Sequence, residues 1–355
     1  MELLFGVFAL LGAVDYVTGK HLKIGDEFEK GIMTTGTLVL SMVGMIVFSP
    51  LIAKGLTMLL KPVADFMHMD ISVVAGFIAS DAGGAAIARE LTESPMWIGY
   101  NGVIVGSMLG AAICIIPVAL RVTNEKYHGD ILNGLLCGIA TIPIGCIVGG
   151  LMLGCPVSEL IINSLPVILV SAIVCAGLVV NPVLTQKIFG IIGSILQAVL
   201  ILGLGIGIFE GLTKITIIPG LTSIGEAMSM VCNIALVLAG VFPMLAVISK
   251  IFKKVFVKIG SLLGIDDKSV LGIITTLANA IPMLDYICEM NCKGRIMNMA
   301  FAVSAAYVIG DHLAFTMVFD SRYVPGMMVG KLVSGIASLV AAHFLYNRIT
   351  KRDRT

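Results

Sequence analysis

Four ionisable side chains interrupt long apolar runs of this chain. Asp81 lies in ISVVAGFIASDAGGAAIA, Asp311 and His312 are adjacent in AYVIGDHLAF, and Lys331 lies in MMVGKLVSG. A charge in hydrocarbon costs about 2.5–3.5 kcal/mol on insertion scales, so each is a candidate for binding or coupling. Asp81 precedes the flexible Ala82-Gly83-Gly84. A carboxylate there can pair with a cationic ligand, or it can cap the helix that follows. Asn279 holds nearly the matching place in SVLGIITTLANAIPMLDYICEM. Its amide both donates and accepts, which suits a hydroxyl or an amine, and it can equally satisfy backbone opened by Pro282. Asp311 and His312 put a carboxylate beside the side chain that titrates near neutrality. They read as a proton-coupling pair or a substrate contact, with an interhelical structural network as the alternative. Lys331 neutralises a buried carboxylate (Asp311 or Asp81) or snorkels outward, while a direct ligand role for it would fit an anion. Asp15 and Glu210 stand near the ends of apolar runs and read as boundary residues or sites; Asp15 is kept as a candidate for charge pairing.

These residues sit in a chain of 355 residues that is 58% hydrophobic and 13% charged, with a net charge of +1 and a mean hydropathy of +1.04. Soluble domains carry about a quarter charged residues, so a soluble cytoplasmic enzyme and a disordered chain are both excluded. The near-cancelling charges give no reason to expect a nucleic-acid partner; a lipid bilayer is the expected surrounding, and a homo-oligomer is left open. The eight cysteines form no Cys-x-x-Cys and read as small packing residues. With no nucleotide loop, zinc-ligand spacing or nucleophile elbow, no catalytic group, cofactor or metal is expected.

Eleven apolar stretches fall at about 2–18, 35–60, 71–88, 96–120, 130–154, 158–180, 188–211, 227–249, 269–290, 296–319 and 327–346. The first lacks a basic flank and carries Glu2, so it reads as a span rather than a signal peptide. Asp81-Ala82-Gly83-Gly84 in 71–88, and Asn279 with Pro282 in 269–290, break the helical ladder, and freed backbone must face protein or a wet cavity. Both stretches are therefore expected to be re-entrant or broken helices. The loop at 250–268 and the C-terminal tail are both basic and should lie on the cytoplasmic side. That parity requires 269–290 to dip and return. Treating 71–88 alike predicts an all-α membrane protein with nine transmembrane helices, two re-entrant segments, the N-terminus outside and the C-terminus cytoplasmic. Seventeen basic residues then lie inside, five outside and Lys331 within a span.

A shift of 197 residues pairs Asp70 with Asp267, Ser72 with Ser269, Asn101 with Asn298 and Ser107 with Ser304. It overlays span, break and span in the same order, giving repeat 1 at about 30–120 and repeat 2 at about 227–320 within one membrane domain. Five crossings separate their starts, so the copies are inverted, the architecture of secondary transporters. Asn101, placed by this pairing, joins the pathway candidates.

The runs FEKGIMTTGTLVLSMVGM from Phe28, DAGG from Asp81, TIPIGCIVGGL from Thr141, TLANAIPM from Thr276, FAVSAAYVIGDHLAF from Phe301 and VGKLVSG from Val329 occur in this order across nearly the whole chain. In them the sequence resembles the bacterial ethanolamine-utilisation transporters, the ethanolamine permeases. It departs from the pattern at Asn279-Ala280, where family members read Asn-Asn, and at Lys30-Gly31, where they read Glu-Gly. The resemblance implies uptake of ethanolamine, a small cationic amino alcohol, across the bacterial cytoplasmic membrane. A carboxylate (Asp81 or Asp311) would hold the ammonium, and an amide or histidine (Asn279, His312) the hydroxyl. Alternating access is the expected mechanism. A channel-like facilitator, a carrier for another small amine or an anion, and a membrane-embedded enzyme acting on amine head groups are the alternatives.

Overall fold

The computed structural model describes residues 1–78 and 84–352, and among them there is helix and turn but no strand. Seven of these helices are long and apolar enough to cross a membrane: Gly25–Phe66, Pro95–Val122, Glu125–Met152, Val157–Val180, Pro182–Thr213, Ile224–Phe252 and Asp311–Arg348. Their ends follow local chemistry. Gly154, at φ +79°, takes the left-handed conformation that suits a residue without Cβ. It stops Glu125–Met152 with hydrogen bonds Gly154 N–H to Leu151 O and Cys155 N–H to Gly150 O, both 3.0 Å. Asn181 then starts the next helix but one, its Oδ1 accepting from Leu184 N–H at 3.0 Å.

The count differs from the nine crossings expected, at two places. The first stretch forms α1, Glu2–Val17, of 16 residues, about 24 Å long at 1.5 Å per residue. That is short of the roughly 30 Å hydrocarbon thickness. The stretch at 296–319 is not one helix either. It divides into Cys292–Ala305 and Asp311–Asp320, parted by turns at 306–310. The break expected in 269–290 is present: helix Asp267–Ala278 stops, and a short helix Ile281–Tyr286 follows. In 71–88 the flanks are short turns of helix at Ile71–Val74 and Ala75–Ile78 and a helix at Gly84–Leu91. The centre of that stretch, including Asp81, lies outside the described residues.

The chain divides into two compact units. The first comprises Met1–Ser107, Ser194–Ile251 and Ile309–Val324. Its helices approach at small residues, as lipid-embedded helices must where apolar association supplies little drive. A Cβ on Gly44 would lie 1.7 Å from the Leu200 carbonyl oxygen, and one on Gly31 would lie 2.6 Å from Ala239 Cα. The second unit comprises Met108–Gly193, Phe252–Val308 and Pro325–Thr355. Here Cys292–Ala305 is buried from Lys293 onward and lies on Glu125–Met152 through Gly134 against Met299 and Gly138 against the Ala300 carbonyl. Cys137, Ile296, Met297, Ala300 and Ala342 form part of the apolar core there.

Candidate functional site

The break at 306–310 gives Asp311 and His312 a setting that the sequence did not predict. Rather than mid-span, Asp311 opens a half-helix, in its first turn after Gly310. The N-terminus of a helix carries positive partial charge and favours an anionic side chain at that point. Asp311 is half-buried and His312 is 1% exposed; the His312 carbonyl accepts from Thr316 Oγ1 at 2.7 Å. The Gly-Asp step was the available signal. A glycine followed by an acidic residue is a common helix boundary, and it is obscured here by the apolar sequence on both sides.

Asn101 lies in the same unit, within a π-helical stretch Ile98–Val105 of helix Pro95–Val122, and is fully buried. Its Nδ2 donates to Ser72 Oγ at 2.9 Å. Asp70 caps the segment beginning at Ile71 by accepting from Ser72 N–H at 2.8 Å, and its other oxygen accepts from Thr92 Oγ1, also at 2.8 Å. The foot of the segment is thereby closed on itself and clamped to the spanning helix.

A similar arrangement recurs in the second unit. Asp266 accepts from Ser269 N–H at 2.8 Å and from Ser269 Oγ at 2.9 Å, and its second oxygen accepts from Asn291 N–H. Asn298 Nδ2 donates to the Ser269 carbonyl at 2.9 Å. The capping carboxylate is Asp266 rather than Asp267, one residue off the 197-residue register. Burial pushes the Asp266 carboxyl up, but the hydrogen bonds from Ser269 and Asn291 outweigh it and hold the group below the usual carboxylate range. Ser94 and Asn291, which correspond under the same shift, cap the helices that follow.

Asn279 ends helix Asp267–Ala278 in extended conformation, and its Oδ1 accepts from Ile281 N–H at 2.9 Å. Its oxygen therefore serves the backbone of the break, leaving the amide nitrogen for other work. Asp15, 3% exposed, accepts from the N–H groups of Leu22, Ile24 and Gly25 at 2.8, 3.0 and 2.8 Å. Both its oxygens are thus committed to the turn joining α1 to Gly25–Phe66. Lys331 is completely buried, so it does not snorkel to the surface. It lies where helix Val324–Arg352 packs on Glu125–Met152, between Gly330 on the Gly145 carbonyl and Ser334, whose Oγ donates to Thr141 O at 3.0 Å.

The sequence reading did not single out Asp130 and Arg295. Arg295 Nε donates to Asp130 Oδ2 at 2.7 Å, and the guanidinium lies 4.0 Å from the centre of the Tyr127 ring. Cys292 Sγ adds a hydrogen bond to Asp130 Oδ1 at 3.2 Å. Among the described residues, no group of three or more His, Cys, Asp or Glu side chains is placed to hold a metal ion.

Long apolar helices and close small-residue crossings, among the described residues, define an all-helical integral membrane protein. The family model for the ethanolamine utilisation protein EutH matches residues 1–345, and the chain belongs to that family. It is 41% identical to the "Probable ethanolamine permease EutH" of Listeria monocytogenes over 98% of this chain and 94% of that protein. It is 36% identical to the protein of the same name in Escherichia coli, over 98% of this chain and 94% of the relative. A Bacillus subtilis relative, "Uncharacterized protein YxeR", is 35% identical over 96% of this chain and 93% of its own length. No solved structure matches the chain.

Proposed function

We propose that the protein carries ethanolamine across the bacterial cytoplasmic membrane by alternating access, with its N-terminus outside and its C-terminus in the cytoplasm. The reading rests on the near-full-length similarity to proteins named ethanolamine permeases. The half-helix opened by Asp311 supports it. Ethanolamine is a two-carbon amino alcohol, mostly cationic near neutral pH, so its site needs one anionic contact and one hydroxyl contact. A carboxylate, Asp311 or Asp81, holds the ammonium, and His312 or Asn279 holds the hydroxyl. Asn101 positions the segment that begins at Ile71 through Ser72. Lys331 balances buried negative charge. A site that bonds the hydroxyl rejects an amine of the same size that lacks it, so ethylamine should compete poorly.

Liposomes holding the purified chain test this reading with labelled ethanolamine. The expected result is saturable uptake of chemically unchanged substrate, with counterflow exchange. Asp311→Asn should reduce uptake at least tenfold, and excess ethylamine should leave wild-type uptake nearly unchanged. Conversion of the label to another compound would make the protein an enzyme. Uptake without saturation or counterflow would make it a pore.

A further inference from the structure

The seam between helices Asp267–Ala278 and Cys292–Ala305 contains buried oxygen atoms that the proposed ammonium and hydroxyl contacts do not use. Ser269, Gly272 and Thr276 share one face of the first helix, at positions i, i+3 and i+7. That face meets the second helix and its continuation. Ser269 O accepts from Asn298 Nδ2 at 2.9 Å, a Cβ on Gly272 would lie 2.2 Å from Asn298 Oδ1, and Thr276 O accepts from Tyr307 N–H at 3.1 Å. The Thr276 side chain therefore lies on the stripe facing the seam, at the level where Cys292–Ala305 ends and the turns at 306–310 begin. Tyr307 keeps this place in a left-handed conformation, φ +65°, which is costly for a side chain of its size.

Thr276 is fully buried, and its Oγ1 has no hydrogen-bond partner among the described residues. This sets it apart from other helical threonines of the chain. Thr57, Thr141, Thr213, Thr316 and the adjacent Thr275 each donate to a carbonyl one turn back. A buried hydroxyl without a partner is costly. It stands at the C-terminal end of a half-helix, where the last carbonyls carry negative partial charge. Neutral oxygens at such an end attract a compact cation, and the adjoining backbone donor, Tyr307 N–H, is already used. Half-helix C-termini at helix breaks serve this purpose in membrane carriers.

We propose that this seam is a cation-binding site, in which Thr276 Oγ1 and the carbonyl oxygens ending Asp267–Ala278 take a small cation. A sodium ion and the primary ammonium of ethanolamine share the chemistry required. The ammonium alternative rests on the proposed transport function; the sodium alternative does not.

Thermal unfolding of the purified full chain in detergent tests the proposal. It compares sodium chloride, potassium chloride and ethanolammonium chloride with N-methylglucamine chloride at equal ionic strength. The wild type should gain about 2–4 °C in at least one of sodium and ethanolammonium. Thr276→Val, which keeps the shape and removes the hydroxyl, should lose that gain, and Thr276→Ser should keep it. In N-methylglucamine, Thr276→Val should melt no lower than wild type, which separates loss of binding from loss of fold. Thr276→Ala replaces it if the valine variant does not purify. Loss of the sodium gain identifies a coupling-ion site, and loss of the ethanolammonium gain identifies a second substrate contact. A wild type indifferent to both salts, or a valine variant that keeps the gain, overturns the proposal. If liposome uptake of ethanolamine fails while the sodium gain persists and depends on Thr276, the transport reading falls and the cation site stands.

Discussion

Single side chains in this protein show two ways of handling a charge near or within the bilayer. Asp130 and Arg295 are paired at 2.7 Å with side-chain exposures of 20% and 10%. Removing one partner of a well-shielded pair leaves an uncompensated charge, whereas removing both for apolar groups is far milder. Arg295→Met should therefore destabilise by about 2–4 kcal/mol, and Asp130→Leu combined with Arg295→Met should recover at least half of that loss. Thermal melts arranged as a double-mutant cycle check it; equal losses in the single and double variants would refute the coupling. Asp266 instead caps a helix and accepts from backbone at two places. Replacing an N-cap by alanine costs about 1 kcal/mol. Because its folded carboxyl titrates lower than in the unfolded chain, its stabilisation is present above the ordinary carboxylate range, near pH 4. That stabilisation is lost as pH falls through the lowered folded value. Between pH 5 and pH 3, Asp266→Asn should therefore lose less melting temperature than wild type. A steeper acid loss in the variant would reverse the assignment.

Elements are held by how closely their backbones approach. Gly44 of helix Gly25–Phe66 meets Leu200 of Pro182–Thr213, and Gly203 meets the Gly44 carbonyl with a built Cβ only 2.5 Å away. The obstructing atoms are backbone, which cannot rotate aside, so Gly44→Ala should cost at least about 1–3 kcal/mol. Gly36, in the same helix, has nothing within 4 Å of a built Cβ, and Gly36→Ala should be neutral or stabilising by up to about 1 kcal/mol. Detergent melts of the two variants make the comparison, and similar behaviour would rule out a tight crossing at Gly44. The helices themselves were readable as apolar runs, and one interruption was readable at Asn279 and Pro282. The interruption at 306–310 was not, because its residues, AYVIG, are apolar and contain no proline, and they obscure its one signal, Gly310 before Asp311. It is fixed by a non-local bond, Tyr307 N–H to Thr276 O, between residues 31 positions apart. Local pattern cannot register such a contact. The same reason governs the candidate site: the types of Asp311 and His312 were legible, but their place at the start of a half-helix was not.

For the whole molecule, the positive-inside distribution and the parity of crossings predict inverted repeats. Similar clamps recur in the two units, whichever way the copies are oriented. Asp70, Ser72 and Asn101 in one unit and Asp266, Ser269 and Asn298 in the other tie the foot of the segment that begins there to a following helix by comparable hydrogen bonds. If the two copies have opposite topology, the loop preceding each broken segment must face opposite sides of the membrane. The loop before Ile71 carries His68 and the loop before Asp267 follows Lys258, and both residues are exposed. Single cysteines at His68 and Lys258, each in a background with all eight native cysteines replaced, can be treated with a membrane-impermeant maleimide. In intact cells His68→Cys should label and Lys258→Cys should not; in inside-out vesicles the pattern should reverse. Labelling of both from one side would make the repeats parallel. If that side is the outside, it would also remove the parity argument that makes 269–290 re-entrant, because the basic loop at 250–268 would then lie opposite a cytoplasmic C-terminal tail.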